Sequence, residues 1–252
     1  SINMSTSNAP AVELLHITKR FAKVLANDDV SITIQKGEVL ALLGENGAGK
    51  STIMKILYGL YHATSGEILI DGKPTKITSS EDAVKQGISM IQQHFSLVAA
   101  HTVTENIILG NCKGVIDYKK KEKEIQALAD KYEFKISATD YIRNLPVGSQ
   151  QKVEILKALY LNARILIMDE PTAVLTPQES DILMRFVRDY AAKGNSVVFI
   201  THKMKEVMDV SDRIVVMRNG RVSGRLDMKD TNERELAHIM VGHDLEELQR
   251  IQ

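Results

Sequence analysis

The sequence predicts an α/β fold: a mostly parallel, covered central sheet with a block of helices inserted into it. Three observations carry this expectation. The runs EVLALL, RILIMDE and SVVFITH are strand-sized and lack polar alternation, as strands buried on both faces read. Helix-like stretches alternate with such runs after about Ile155. From about His94 to Asn144 strands stop, and TVTENIILG and DYKKKEKEIQALADKY read as helices.

The elements follow in order. SINMSTSNAP is small and polar, so residues 1–10 are expected to be a tail or tag remnant ahead of one domain over 11–252. VELLHI, VSITI and EVLALL predict three strands, with Asn27-Asp28-Asp29 and Lys36-Gly37 as the turns between them. GENGAGKST follows at once, and STIMKILYGLY then places Ile53, Met54, Ile56, Leu57 and Leu60 at helical spacing. GEILIDG and ISMIQ predict a second small strand set around a helix near Ser80 to Gln86, capped by Ser79 or Ser80 and stopped by Gly87. Past the inserted helices, LPVGSQQKVE is a proline-bent, polar-tipped lead into a further helix. The chain then alternates: RILIMDE, a helix after Thr176-Pro177, SVVFITH, a short helix near Met204 to Met208, a hairpin turning at Asn219-Gly220, and a final helix from about Thr231. The expected division is a core of 11–93 and 155–252 with a helical subdomain over 94–154.

Composition narrows the function. Among 252 residues, 32 basic and 32 acidic side chains cancel, so no nucleic-acid partner is expected. Cys112 is the one cysteine and can form neither an internal disulfide nor a metal cluster, which fits a reducing compartment. No run nears the roughly 18 apolar residues of a membrane span, so any work at a membrane needs a partner that crosses it. The lysine-rich KKKEKE reads as a solvated helix face.

Two motifs carry chemistry. Gly44 to Ser51, GENGAGKS, matches G-x-x-x-x-G-K-[ST] between a strand and a helix. Its backbone amides (Gly44, Glu45, Asn46, Gly47, Ala48, Gly49, and on to Thr52) would cradle phosphates, Lys50 would neutralise them, and Ser51 would ligate Mg²⁺. ILIMDEP brings two acids to the end of a buried strand. Asp169 can hold the Mg²⁺ shell, and Glu170 can polarise a water for in-line attack. His202 ends a third apolar run at the same edge, and Gln93, just past ISMI, would lie near the metal.

With GENGAGKST, Gln93, LPVGSQQ, ILIMDEP and THK in that order, the chain resembles the ATPase subunit of ABC transporters over essentially its whole length. The resemblance implies a P-loop NTPase of the ABC type, with an N-terminal antiparallel β subdomain beside the parallel core and the helical insertion. It implies ATP and Mg²⁺ as cofactors. It assigns Phe21 to adenine stacking, Gln93 to the Q-loop and the metal, and Leu145 to Gln150 to the signature loop, with Gly148, Ser149 and Gln150 on a partner's nucleotide. Glu170 becomes the catalytic base and His202 the switch histidine. ATP would be sandwiched between two such domains.

Finer phrases (QQHFSLV, QQKVEILKALY, DEPTAVLTPQE and MVG) are similar to the N-terminal half of tandem sugar and nucleoside importer ATPases, the nucleoside branch most of all. That implies a transmembrane permease, a second ATPase domain in a missing C-terminal half, an extracytoplasmic solute-binding lipoprotein acting indirectly, and a peripheral place on the cytoplasmic face of the cell membrane. Since the sequence stops at Gln252 after one domain, a longer parent chain is expected. Riboflavin and simple sugars stay open as cargo.

The pattern departs from the family twice. Pro146 and Val147 stand where serine and glycine are usual, which removes a hydroxyl contact to the γ-phosphate and implies slower turnover. Thr176 replaces the aspartate that ends the D-loop, so the contact linking two ATP sites is not carried over. Three other classes fit the sequence less well. A non-transport ABC-type ATPase would carry a long coiled coil or basic linker between Gln93 and Leu145, where about fifty residues stand. A GTPase would need an Asn-Lys-x-Asp loop, which is absent, and a pure binding module is opposed by intact Glu170 and His202.

Overall fold

The computed structural model describes residues 8–242. The first seven positions of the expected 1–10 tail, and the last ten of the 11–252 domain, lie outside the described residues.

Two sheets form the frame. The first is antiparallel, with strand order β2-β1-β4-β5, from β1 (Val12–Phe21), β2 (Val24–Ile34), β4 (Ser65–Ile70) and β5 (Lys73–Pro74). The second has six strands ordered β10-β9-β3-β8-β7-β6: β3 (Val39–Leu43), β6 (Ile88–Ile91), β7 (Ile165–Asp169), β8 (Ser196–Thr201), β9 (Arg213–Arg218) and β10 (Arg221–Asp227). All its neighbours pair in parallel except the β9–β10 hairpin.

The continuous apolar runs are explained by burial on both faces. In β7, Ile165 and Ile167 face the antiparallel sheet and α1 (Lys50–Leu57), while Leu166 and Met168 face the inserted helices. In β8, Val198 and Ile200 alternate in the same way with Val197 and Phe199. The insertion comprises α3 (Val103–Ile108), α4 (Tyr118–Lys131) and α5 (Val147–Tyr160), and it shares one core with α6 (Pro177–Ala192) and the sheet. Helix α5 runs straight through the boundary expected at residue 154. The smaller helices α7 (Met204–Val210) and α8 (Glu233–Met240) close the β9 end, and α2 (Ser80–Lys85) precedes β6.

Sequence signals located both ends of α2. Ser79 caps α2 by accepting from the Asp82 amide, and Gly87 follows at φ +82°. Two expectations need correction. Asn27-Asp28-Asp29 is not the turn between the first strands: the chain reverses at Ala22-Lys23, and the triplet is an irregular stretch inside β2 where pairing with β1 shifts register. GEILIDG and ISMIQ do not form one strand set, because β4 joins the antiparallel sheet and β6 the parallel one. Composition cannot reveal which of two sheets a short strand joins, since either offers apolar neighbours.

Thr176 heads α6 with a complete capping box: its hydroxyl accepts from the Glu179 amide, and the Glu179 carboxylate accepts from the Thr176 amide. Thr176→Ala is expected to cost about 1 kcal/mol in urea unfolding, with Thr176→Asp near neutral. Equal losses in both would show that the cap is not what Thr176 supplies.

Candidate active site

Register builds the site. β3, β8 and β7 pair so that Leu43 faces Thr201 and Asp169 faces Ile200. The next residues, Gly44, His202 and Glu170, therefore leave the sheet together at its carboxyl edge, where open α/β sheets hold ligands. Gly44 must be glycine, since a Cβ there would stand 2.4 Å from the Met217 carbonyl oxygen.

The loop that begins at Gly44 returns its lysine to the same edge. Lys50 is 5% exposed, and its ammonium donates to the carbonyls of Gly44 and, at 3.2 Å, Thr201. It stands 4.0 Å from Glu170 Oε1. Burial pushes this ammonium below the ordinary lysine range, against the pull of Glu170, Asp169 and Glu45. Ser51 Oγ donates to both oxygens of Asp169, at 3.2 and 3.1 Å. Burial lifts the Asp169 carboxyl above the usual aspartate range; the Ser51 bond opposes this and neighbouring Glu170 adds to it. A desolvated carboxylate beside a hydroxyl is an oxygen-only pair that suits a hard cation. Mg²⁺ takes one or two protein ligands and completes its shell with phosphate and water. No group of three His, Cys, Asp or Glu side chains that could cage a metal exists among the described residues.

Glu170 follows Asp169 at φ +47°, a left-handed conformation uncommon outside glycine, and its amide donates to the Ile200 carbonyl. Its carboxylate turns to His202, with Nδ1 3.0 Å from Oε1. The expected residues Lys50, Ser51, Asp169, Glu170 and His202 are thus joined pairwise at this edge, Ser51 to Asp169, and Lys50 and His202 each to Glu170. Gln93 is not among them: it is exposed two residues beyond β6, and no bond joins it to Ser51 or Asp169 among the described residues. Phe21 ends β1, edge-on to Tyr61 at 5.1 Å with the Lys19 ammonium 4.8 Å from its ring centre.

The first turn of α5 carries Gly148 and Ser149, whose amides have no partner within the helix. Pro146 is the cap residue and offers no side-chain bond. Gln150 turns back to the Leu145 and Ile142 carbonyls, at 3.0 and 3.4 Å.

Three residues that sequence reasoning missed hold these parts in place. Asn27, fully buried in the irregular part of β2, donates from Nδ2 to the Gly49 carbonyl at 3.0 Å. Gly49 stands at φ +96°, and a Cβ there would meet Asn27 Nδ2 at 2.7 Å, so the loop and the amide approach as closely as glycine allows. Gln151, 4% exposed, donates to the Pro171 carbonyl at 2.6 Å and ties α5 to the segment after Glu170. Glu206 accepts from Thr172 and, at 3.5 Å, from Thr201, so α7 braces the two strand ends that carry Glu170 and His202. Asn27 carried a signal, read as a turn; Glu206 carried none.

The family model described as ABC transporter matches residues 27–173. The nucleoside import ATP-binding protein NupA of Lactococcus lactis subsp. cremoris is 47% identical over 242 residues, covering 95% of this chain and 48% of that protein. The glucose import ATP-binding protein TsgD13 of Haloferax volcanii is 40% identical over 267 residues, covering 94% and 48%. The chain spans about half the length of these curated relatives. Among solved structures, a nucleotide-free ATP-binding cassette from an ABC transporter superposes with TM-score 0.80 at 23% identity, over 96% of this chain and 99% of that one.

Asp169 gives a pH-dependent test. Its folded pKa lies above the ordinary 3.8, so the stability it contributes is full below that value and is lost as pH rises through the raised one. Without nucleotide, Asp169→Asn should melt higher than wild type at pH 7 and converge with it at acid pH, while losing the gain from Mg²⁺ with ATP. A lower melting point at pH 7 would contradict the desolvation account. For Asn27→Ala, which leaves the Gly49 carbonyl unpaired, urea unfolding should register a loss of about 1–3 kcal/mol.

Proposed function

The chain belongs to the ABC transporter family, and on that premise we propose that it binds and hydrolyses ATP to energise import of a small polar solute, nucleosides in the first place, through a membrane permease. The observation that carries this reading is the convergence of Lys50, Ser51, Asp169, Glu170 and His202 on one sheet edge.

The residues divide the work. Loop amides from Gly44 to Thr52 and the N-terminus of α1 receive the phosphates, and Lys50 exchanges its carbonyl partners for phosphoryl oxygens. Mg²⁺, held through Ser51 and Asp169, would offset the charge on the β- and γ-phosphates. Glu170 accepts a proton from the water whose oxygen attacks the γ-phosphorus in line, as the bond to the β-phosphate oxygen breaks and ADP departs. His202 keeps the Glu170 carboxylate aimed and stands ready to donate to the γ-phosphate. Phe21 offers a ring face to adenine.

A partner domain is part of the proposal. The phosphate loop lies on an open face; the cavity beside it, lined by Glu45 to Ala48 and Met217 to Asn219, is only about 150 Å³. A bound triphosphate would stay wet on one side unless a second domain covered it with an α5 turn like that of Gly148, Ser149 and Gln150. The relatives' greater length is consistent with a second domain in the same polypeptide. Among the described residues no helix is long and apolar enough to cross a membrane. The place proposed here is peripheral, on the cytoplasmic face beside the permease. Gln93 would sense the γ-phosphate and metal only after a movement toward Asp169. Nucleosides are favoured over sugars by 47% identity to NupA against 42% to a ribose import ATP-binding protein and 40% to TsgD13, and a simple sugar, ribose or glucose, is the second reading.

Glu170→Gln should keep Mg²⁺-ATP affinity within a few-fold and lower hydrolysis by about 10²–10⁴ in the paired assembly, measured as phosphate release. Full hydrolysis in that variant would remove Glu170 as the base. In vesicles containing the permease and its solute-binding protein, nucleosides and not glucose should stimulate ATP hydrolysis; the reverse order would move the cargo to the second reading.

A further inference from the structure

A cavity of about 760 Å³ shares no lining residue with the phosphate loop. It lies between the end of α4 with its following turn, α5 and α6, and its size is that of a small-molecule site. Its floor is aromatic. The chain has seven tyrosines and five phenylalanines, and two of each cluster here. Phe186 stacks on Tyr190 at 5.5 Å, tilts against Phe134 at 5.3 Å and meets Tyr132 edge-on at 5.6 Å. Tyr132, Phe134 and Phe186 line the cavity.

Its rim is cationic: Lys131, Lys135, Lys152, Arg185 and Lys193. No carboxylate lies within ion-pair distance of any of these five among the described residues. Three of them rest on rings instead, Lys193 over Tyr132 at 4.3 Å, Lys131 over Tyr132 at 5.6 Å and Lys152 over Phe134 at 6.0 Å. A ring face steadies an ammonium without neutralising it. Three acids, Asp130, Glu133 and Asp189, also line the cavity, and Asp130 is engaged by the Gln126 amide at 3.0 Å. The balance remains positive. Lys152 is the half-buried member, held below the ordinary lysine range by burial and by Lys135, against the attraction of Glu179.

We propose that this cavity binds a small aromatic phosphate, its ring against Tyr132 in the place Lys193 now takes and its phosphoryl group among Lys135, Lys152 and the displaced Lys193. Phe134 and Phe186, 4% and 5% exposed, back that ring from beneath, and the unpaired ammonium groups supply charge that an anion completes. The site also bears on α5. A narrower cavity shares Phe134, Lys152, Ile182 and Phe186 with it and continues to Gly148, Ser149 and Glu179. The Glu179 carboxylate abuts Gly148, where an added Cβ would overlap it. A phosphate that draws Lys152 toward Lys135 weakens the attraction between Lys152 and Glu179, next to the first turn of α5.

The test is calorimetric titration of the full chain with 1-naphthyl phosphate. One saturable site is expected, weakened about tenfold or more in the exposed double variant Lys135→Gln/Lys193→Gln, whose unchanged melting point would certify its fold. Inorganic phosphate and 1-naphthol should each bind at least about tenfold more weakly than the joined probe, and Lys50→Ala should leave its affinity unchanged. Absence of saturation, binding indifferent to the double variant, or loss in Lys50→Ala instead would overturn the proposal. Equal affinity for inorganic phosphate would remove the aromatic part.

Discussion

Everything at the proposed catalytic edge depends on the parallel register that ends β3, β8 and β7 within one residue of one another. Leu43 closes its strand beside Thr201 and Asp169 beside Ile200, so the residues that follow emerge into one small volume. A shift of one residue in any of the three would exchange its two buried faces as well as displace a catalytic group. Both faces are filled by different cores, which makes such a slip costly. Packing of the sheet and placement of chemistry are therefore the same constraint.

That constraint collects charges that water no longer solvates. Lys50 and Asp169 are each pushed toward their neutral forms, and each is partly answered by a neutral or carboxylate neighbour: carbonyls and Glu170 for the lysine, Ser51 for the aspartate. The arrangement is better matched to a phosphate and a divalent cation than to itself. On the proposed reading, nucleotide binding relieves these costs, and ATP favours whichever closed state completes the site.

Buried side-chain amides extend the edge into the rest of the fold. Asn27 holds the phosphate loop to the antiparallel sheet, and Gln151 holds the segment after Glu170 to the inserted helices. Glu206 braces the strand ends from α7. A displacement of α5 therefore reaches the carbonyl one residue beyond Glu170 directly. The substitution of Pro146 for a capping residue leaves the first turn of α5 with unanswered amides, which suits an anion from outside the chain.

The sequence by itself determined the strands with two buried faces, the phosphate loop, the acid pair, the edge histidine and the starts of α2 and α6. Each of these is written in local chemistry: apolar runs, glycines at one spacing, a threonine three residues before a glutamate. Tertiary structure alone decided which sheet β4 and β6 joined, because either offered apolar neighbours. It turned Asn27 from an apparent turn residue into the support of Gly49, and chose Gln151 over Gln150 for the contact with Pro171. It also left Gln93 apart from the metal pair. Those outcomes depend on groups brought together across about twenty to eighty residues, and no local pattern specifies such a meeting.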